Sequence, residues 1–230
     1  MSAQRMQLRR DGDLHCITLC RDENRIDLAF VDELARLLAR VEKECDSAGA
    51  LVITGEGKFF SNGLDLAWLG SAAAAEQQRF ASDAIAVMGR LALLPLPTVA
   101  ALNGHCFAAG ALLAMACDYR VMREDRGWIC FPEVDVSVPI PPLAMALLRS
   151  KLPPGTLRDV VLSGRRYAAA EALAAGLADE AVPADALLAR ASERANALAT
   201  KPRGSFAGLK RALYAEVRRL AGGDGEAGDA

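Results

Sequence analysis

The sequence predicts an α/β fold, with strands and helices in alternation and crossover connections that lay helices over a sheet. Three observations lead there. Short apolar runs at Leu51–Thr54 and Thr98–Leu102 have the length and bounds of buried strands. Phe30, Val31, Leu34, Leu37, Leu38 and Val41 recur at helical spacing upstream of the first run. Each apolar run then opens into a glycine-punctuated turn and a helix-like stretch, Gly55 to Leu66 after the first and Asn103 to Gly110 after the second.

The elements follow in order. Met6–Arg10 and Leu14–Cys20 flank Asp11-Gly12-Asp13, a hairpin signal. Phe30–Cys45 is a helix, Leu51–Thr54 a strand, and Gln77–Leu94 a helix stopped before Pro95. Thr98–Leu102 is the next strand. Ala108–Cys117 is apolar all round and predicts a buried helix. Tyr119–Met122 and Trp128–Phe131 are further strands. From Leu143 onward the pattern is helical, interrupted at Leu177–Pro183 by one more short strand. The last long helix, Phe206–Leu220, is amphipathic and basic, and Gly222–Ala230 is a small, polar, frayed tail.

At 230 residues the chain can build one good-sized core, or one core with an appendage. A content of 52% hydrophobic and 24% charged residues fits a soluble globular protein and not a disordered one. The formal net charge of −2 gives no bulk field to attract nucleic acid or acidic lipid. Arg165-Arg166 and Arg218-Arg219 are short basic pairs of the solvated-surface kind. The six cysteines lack a CxxC pair, and no export signal precedes them, which predicts reduced, mostly buried thiols in an intracellular protein. The two histidines, His15 and His105, lie far apart in sequence and argue against a zinc site. Leu91–Leu102 is broken by Pro95 and Pro97 and is too short to cross a bilayer. There is no GxGxxG or P-loop pattern, so neither dinucleotide nor nucleoside-triphosphate chemistry is indicated.

The two glycine-punctuated turns carry the chemistry. A turn that exposes backbone N–H groups at a helix start can hold a negative oxygen. Two such turns supply what an oxyanion hole needs. Four segments, spanning roughly residues 14–215, together resemble the crotonase (enoyl-CoA hydratase/isomerase) superfamily. They are Asn24-Arg25-Ile26-Asp27-Leu28, Phe60 to Leu66, Asn103 to Asp118, and Ala170 to Pro183. The wording of Ser61 to Trp68, Met122 to Gly127 and Glu133-Val134-Asp135 is most similar to the plant-type Δ3,Δ2-enoyl-CoA isomerases.

That resemblance implies a crotonase-like spiral of strand–strand–helix turns with a helical C-terminal region. The spiral would occupy residues 1–185, and residues 186–230 would form a helical segment at a subunit contact. It implies a homotrimer or a dimer of trimers, an acyl-CoA substrate, and no cofactor beyond the coenzyme A that the substrate carries. The oxyanion donors fall on the backbone N–H groups of Leu64 and Ala109. Many relatives have a glycine pair at the second turn, where this chain has Ala108-Ala109-Gly110. Ile26, Asn62, Gly63, Asp65, Leu66, Gly110 and Lys210 fall on substrate- or coenzyme-binding positions. For Lys210 and Arg211 a solvated helix face is the competing reading, and for Asp65 a helix cap is preferred to catalysis.

The first glutamate of the family's hydratases is Leu112 here, and the second is Glu133. One glutamate is the pattern of an isomerase. It removes a proton from C2 of a 3-enoyl thioester and returns it to C4. Pro132, Val134 and Val136 are expected to surround Glu133 and raise its pKa by desolvation. On strand alternation Asp135 shares its face, as the competing carboxylate. His105 is read as a turn or core residue, and Cys106 and Cys117 as core. Val138 to Pro142 departs from the glycine-rich loop of many relatives. A hydratase, a thioester hydrolase and a non-catalytic acyl-CoA-binding protein are the alternatives. The C-terminus lacks a peroxisomal tripeptide, so the expected compartment is the cytoplasm, with the peroxisome left open.

Overall fold

The computed structural model describes residues 5–45 and 48–222; the expected tail beyond Gly222 lies outside them. The chain opens with the hairpin of β1 (Met6–Asp11) and β2 (Leu14–Leu19), where Asp11 faces Leu14 across the turn. Helix α1 (Leu28–Glu44) follows, capped by Asp27, whose carboxylate accepts from Phe30 N at 2.8 Å.

Three similar turns of chain come next. In the first, β3 (Ala50–Gly55) leads to β4 (Phe59–Ser61) and then to α2 (Leu66–Ser71) and α3 (Ala74–Leu93). In the second, β5 (Thr98–Leu102) leads to β6 (His105–Phe107) and α4 (Ala109–Ala116). In the third, β7 (Tyr119–Arg123) leads to β8 (Ile129–Cys130), α5 (Glu133–Val136) and α6 (Pro142–Lys151). The chain closes with α7 (Pro154–Ser163), β9 (Arg166–Tyr167), α8 (Ala169–Ala175), β10 (Glu180–Val182), α9 (Leu187–Ala199), α10 (Arg203–Leu213) and α11 (Ala215–Leu220).

The first strand of each turn joins a six-stranded sheet of order β1-β2-β3-β5-β7-β10, parallel from β2 onward. The second strand joins a smaller sheet, β4-β6-β8-β9, in which only β8 and β9 are antiparallel. This stepping of strand, strand and helix is the spiral.

The inner strands β3 and β5 are buried on both faces, so they are apolar without alternation, whereas the edge strand β1 is largely exposed. Leu51 and Ile53 face the main core with α1, α3 and α4, while Ala50 and Val52 face a second cluster. That second cluster is closed by Leu187, Ala191, Ala195 and Ala199 of α9. The alanines, four apart, let the helix lie close on the strands. The helical segment expected from residue 186 therefore begins with a helix that belongs to the core. None of the described helices is long and apolar enough to cross a membrane.

The final helix expected at Phe206–Leu220 is two helices. Tyr214 leaves the helical region at φ −106°, ψ 35°, and is buried. Its ring lies 5.0 Å from Lys151 Nζ, which also donates to Cys117 O at 2.5 Å. Burial, with help from the Arg120 and Lys210 cations, pushes the Lys151 ammonium from 10.5 down to about 7.

This lysine predicts a pH dependence. Its folded pKa lies below its unfolded value, so between about pH 7 and 10 the unfolded chain binds more protons and Lys151 makes stability rise with pH. Lys151→Met should remove that contribution. Urea denaturation of both proteins at several pH values checks it: their difference in stability should be greatest near neutrality, in favour of the variant, and shrink as pH rises.

Candidate active site

The site is built where two turns of the spiral meet. Strand β4 ends at Ser61, and the chain turns through Gly63 at φ +80°. Ile26 N donates to Gly63 O at 2.8 Å, and Asp65 N donates to Ile26 O at 2.9 Å. This one-residue parallel bridge pairs Ile26 with Leu64 and leaves the N–H of Leu64 facing the other way. Asp65 then caps α2, accepting from Trp68 N at 3.0 Å.

The second turn leaves β6 at Phe107. Ala108 takes φ 50°, ψ −124°, and Ala109 begins α4. An N–H in the first turn of a helix has no partner within the helix. The two turns touch. A Cβ built on Gly63 would lie 2.9 Å from Ala108 Cβ and 3.4 Å from Ala109 N. Only glycine permits this approach at this φ. Among the described residues, neither Leu64 N nor Ala109 N is engaged in a hydrogen bond.

Beside these amides is a cavity of about 450 Å³. One face of α3 lines it with Phe80, Ala84, Ile85 and Met88, and Leu112 stands in its wall. Glu133 is the sole acid among the lining residues. Its side chain is 7% exposed, and among the described residues its Oε2 has no hydrogen-bond partner. Burial pushes its pKa above the ordinary carboxylate value, partly offset by its own backbone amide.

Glu133 follows β8, as expected, but begins a single helical turn, and this corrects the expectations for Asp135 and Val134. Residues two apart on a helix point to different sides, so Asp135 does not share its face. Asp135 is exposed and packs against Gly164. Val134 also points outward, at 49% exposed, while Pro132 and Val136 do line the cavity.

Of the other expected residues, Asn62, Leu64, Leu66 and Ala109 line the cavity. Ile26, Gly63, Asp65 and Gly110 stand behind the lining, where they shape the turns. Lys210 is elsewhere. It is 4% exposed, ion-paired with Asp118 at 2.9 Å, and not among the residues lining the cavity. Asp118 also accepts from Thr98 N and Oγ1, so the pair is held inside a hydrogen-bonded network. His105 is outside the cavity, stacked on Trp128 at 4.9 Å, and burial with the Lys58, Arg166 and Arg126 cations lowers its pKa.

Sequence reasoning missed Phe107 as a lining residue and singled out Ile26, not its neighbour Arg25, from the Asn24–Leu28 loop. It also missed that Ala108 adopts a positive φ; the departure from the relatives' glycine pair was the available signal.

Residues 10–228 match the family described as enoyl-CoA hydratase/isomerase. The chain belongs to that family and has the crotonase fold. It is 35% identical over 222 residues to enoyl-CoA delta isomerase 3 of Arabidopsis thaliana, covering 93% of each chain. The peroxisomal enoyl-CoA delta isomerase 2 of the same plant is 34% identical over 226 residues, covering 94% of each. Among solved structures, an enoyl-CoA isomerase of Mycobacterium tuberculosis superposes with TM-score 0.87 at 26% identity, covering 94% of both chains. A second structure of the same mycobacterial protein, described there as a probable enoyl-CoA hydratase, gives 0.88 at 26% identity, covering 95% of this chain and 92% of that one.

The backbone of Ala108 sets up a stability prediction. A non-glycine residue at such dihedrals costs about 1–3 kcal/mol. Ala108→Gly should therefore raise stability by about 1 kcal/mol, after the extra entropy that glycine gives the unfolded chain. The urea midpoint should rise with the slope unchanged.

Proposed function

We propose that the protein is a Δ3,Δ2-enoyl-CoA isomerase acting on unsaturated acyl-CoA in fatty-acid β-oxidation. The observation that carries the reading is the isolated acid: Glu133 faces an apolar cavity with Leu112 in the wall where a second glutamate would stand in a hydratase. The named isomerases among the relatives support it.

In this reading the thioester oxygen lies between Leu64 N and Ala109 N, and the acyl chain extends along α3. Arg25 at the cavity edge is paired with Glu23 at 2.7 Å and would meet the coenzyme phosphates by exchanging that exposed partner. Ionised Glu133 takes the C2 proton of a 3-enoyl thioester. Charge moves to the oxygen, where fixed donors meet it as it develops. The same carboxyl then delivers the proton to C4, leaving the 2-enoyl thioester. Charge and atoms balance with no further reactant. Poor solvation makes the carboxylate a stronger base once ionised. The exposed Leu209 and Leu213, four apart on α10, support self-association, in line with a homotrimer or a dimer of trimers.

Three outcomes are expected. Glu133→Gln should lower conversion of 3-hexenoyl-CoA to the 2-enoyl product by about 10²–10⁴-fold, with acyl-CoA affinity nearly unchanged and Asp135→Asn close to wild type. Activity must fall as pH drops through the Glu133 pKa, so the acid limb of the wild-type profile should lie above the ordinary carboxylate range. Incubation with 2-hexenoyl-CoA should yield negligible 3-hydroxyacyl-CoA. Hydration as fast as isomerisation would reject the single-acid reading, and binding without turnover would indicate a non-catalytic protein.

A further inference from the structure

Ser61 sits at the junction of the two donor turns and is fully buried. Its hydroxyl does two jobs at once. It donates to Asn24 O at 2.7 Å, and it accepts from Gly63 N at 3.3 Å. Asn24 is itself locked. At φ 50° its side-chain amide spans Phe59 O (3.2 Å) and Phe60 O (3.1 Å), and its Oδ1 accepts from Arg21 N at 2.9 Å. The Ser61 hydroxyl thus adds a buried tie between the first turn and this segment, beside the backbone bonds Asn62 N to Glu23 O, Ile26 N to Gly63 O and Asp65 N to Ile26 O.

The second turn rests on the same residue. A Cβ built on Gly110 would lie 2.6 Å from both Cβ and O of Ser61 and 2.8 Å from its Oγ. The start of α4 is therefore seated on Ser61, and the amide of Ala109 is one residue away. Ser61 does not line the cavity, so it touches no bound acyl group.

We propose that Ser61 is a positioning residue that sets the distance and direction between the Leu64 and Ala109 amides, and so the grip on the thioester oxygen. The inference rests on the acyl-CoA reading above. The physical argument is one of tolerance. Donors stabilise developing charge only when they are fixed at its final position, and a shift of about 1 Å at a reacting group can cost 10²-fold in rate. Removing the hydroxyl would leave Gly63 N–H and Asn24 C=O unpaired in a dry interior. The turn would relax to find other partners, and the Leu64 amide would move with it.

The test uses Ser61→Ala and Ser61→Cys in the full-length protein, with 2,4-hexadienoyl-CoA as a chromophoric probe. Its absorbance shifts to the red when the thioester carbonyl is polarised, so the probe reports the donors without needing turnover. For Ser61→Ala the expectation is a kcat lowered about 10- to 100-fold, a red shift at most half that of wild type, and a probe Kd within about threefold. Ser61→Cys keeps a polar atom of similar size and should be intermediate in both. If Ser61→Ala fails to fold by circular dichroism, Ser61→Cys carries the test.

Full kcat and a full red shift in the folded variant, with only a lower melting temperature, would overturn the proposal and leave Ser61 a packing residue. A raised Kd with unchanged kcat would do the same, as would a wild-type protein that causes no red shift. If wild type shifts the probe yet makes no 2-enoyl product from 3-hexenoyl-CoA, the isomerase reading falls and Ser61 is judged on the red shift alone.

Discussion

The structure turns on a missing side chain. Gly63 carries only hydrogen where a Cβ would lie 2.9 Å from Ala108, and this allows two strand-to-helix turns to press together. The spiral serves this contact. Its repeated step lays β4 and β6 side by side in parallel, so both second strands end at the same edge and both helices start there. Any larger residue at Gly63 would separate the turns. The glycine approach of Gly110 to Ser61 makes the same demand from the opposite side. Strain at Ala108 is the local cost of the arrangement, held in place by the surrounding pairs. Among them, Ala108 N donates to Cys130 O at 2.9 Å and Leu112 N to Ala108 O at 3.0 Å.

Against this rigid backbone frame, the charges divide into two kinds. Arg120 and Asp179 pair at 2.7 Å, Lys210 and Asp118 at 2.9 Å, and their remaining hydrogen-bonding capacity goes largely to backbone carbonyls and to Thr98. These groups are expensive to bury and are satisfied. Glu133 is buried to a similar degree and is not. Among the described residues His105 Nδ1 and Arg194 Nε are also buried without a partner, but of the three only Glu133 faces the cavity. The contrast supports a functional reading over a packing defect, because an unpaired buried carboxyl lowers stability without compensation from the folded chain alone.

Much of this was legible in the residue pattern. The hairpin at Asp11-Gly12-Asp13, the buried helix after Phe107, the stop before Pro95 and both glycine-punctuated turns follow from local chemistry. What was not legible depends on tertiary contact. The alternation of Glu133-Val134-Asp135-Val136 reads as a strand, yet the segment closes a helical turn after Pro132, and that sends Asp135 to the surface. The periodicity of Phe206 to Leu220 gives no hint that Tyr214 turns inward under Lys151 and splits the helix. Lys210 looks like any basic residue on an amphipathic helix until Asp118, far away in sequence, is brought beneath it. The short β9 has only two residues and no pattern of its own.

The segment from Val138 to Pro142 connects the site to its chemistry from a third direction. It supplies part of the cavity wall through Val138, Pro139 and Pro141. Proline has no N–H, and its φ is fixed. The wall therefore offers the cavity no donor from Pro139 or Pro141 and has little freedom to rearrange. Pro142 opens α6, a position that suits proline because the first helical N–H has no partner there. The N–H of Val138 is already spent on Glu133 O at 3.1 Å. A water molecule poised for addition to a double bond needs two or more polar partners to hold it. Of the lining residues, Pro132, Val136, Val138 and Leu112 have no polar side chain, and the polar side chains besides Glu133 are those of Arg25, Asn62 and Gln77. On the proposed isomerase reading, an acid that shuttles a proton between two carbons of one substrate needs no such water, and a rigid apolar wall would keep the proton from being lost to solvent between the two steps.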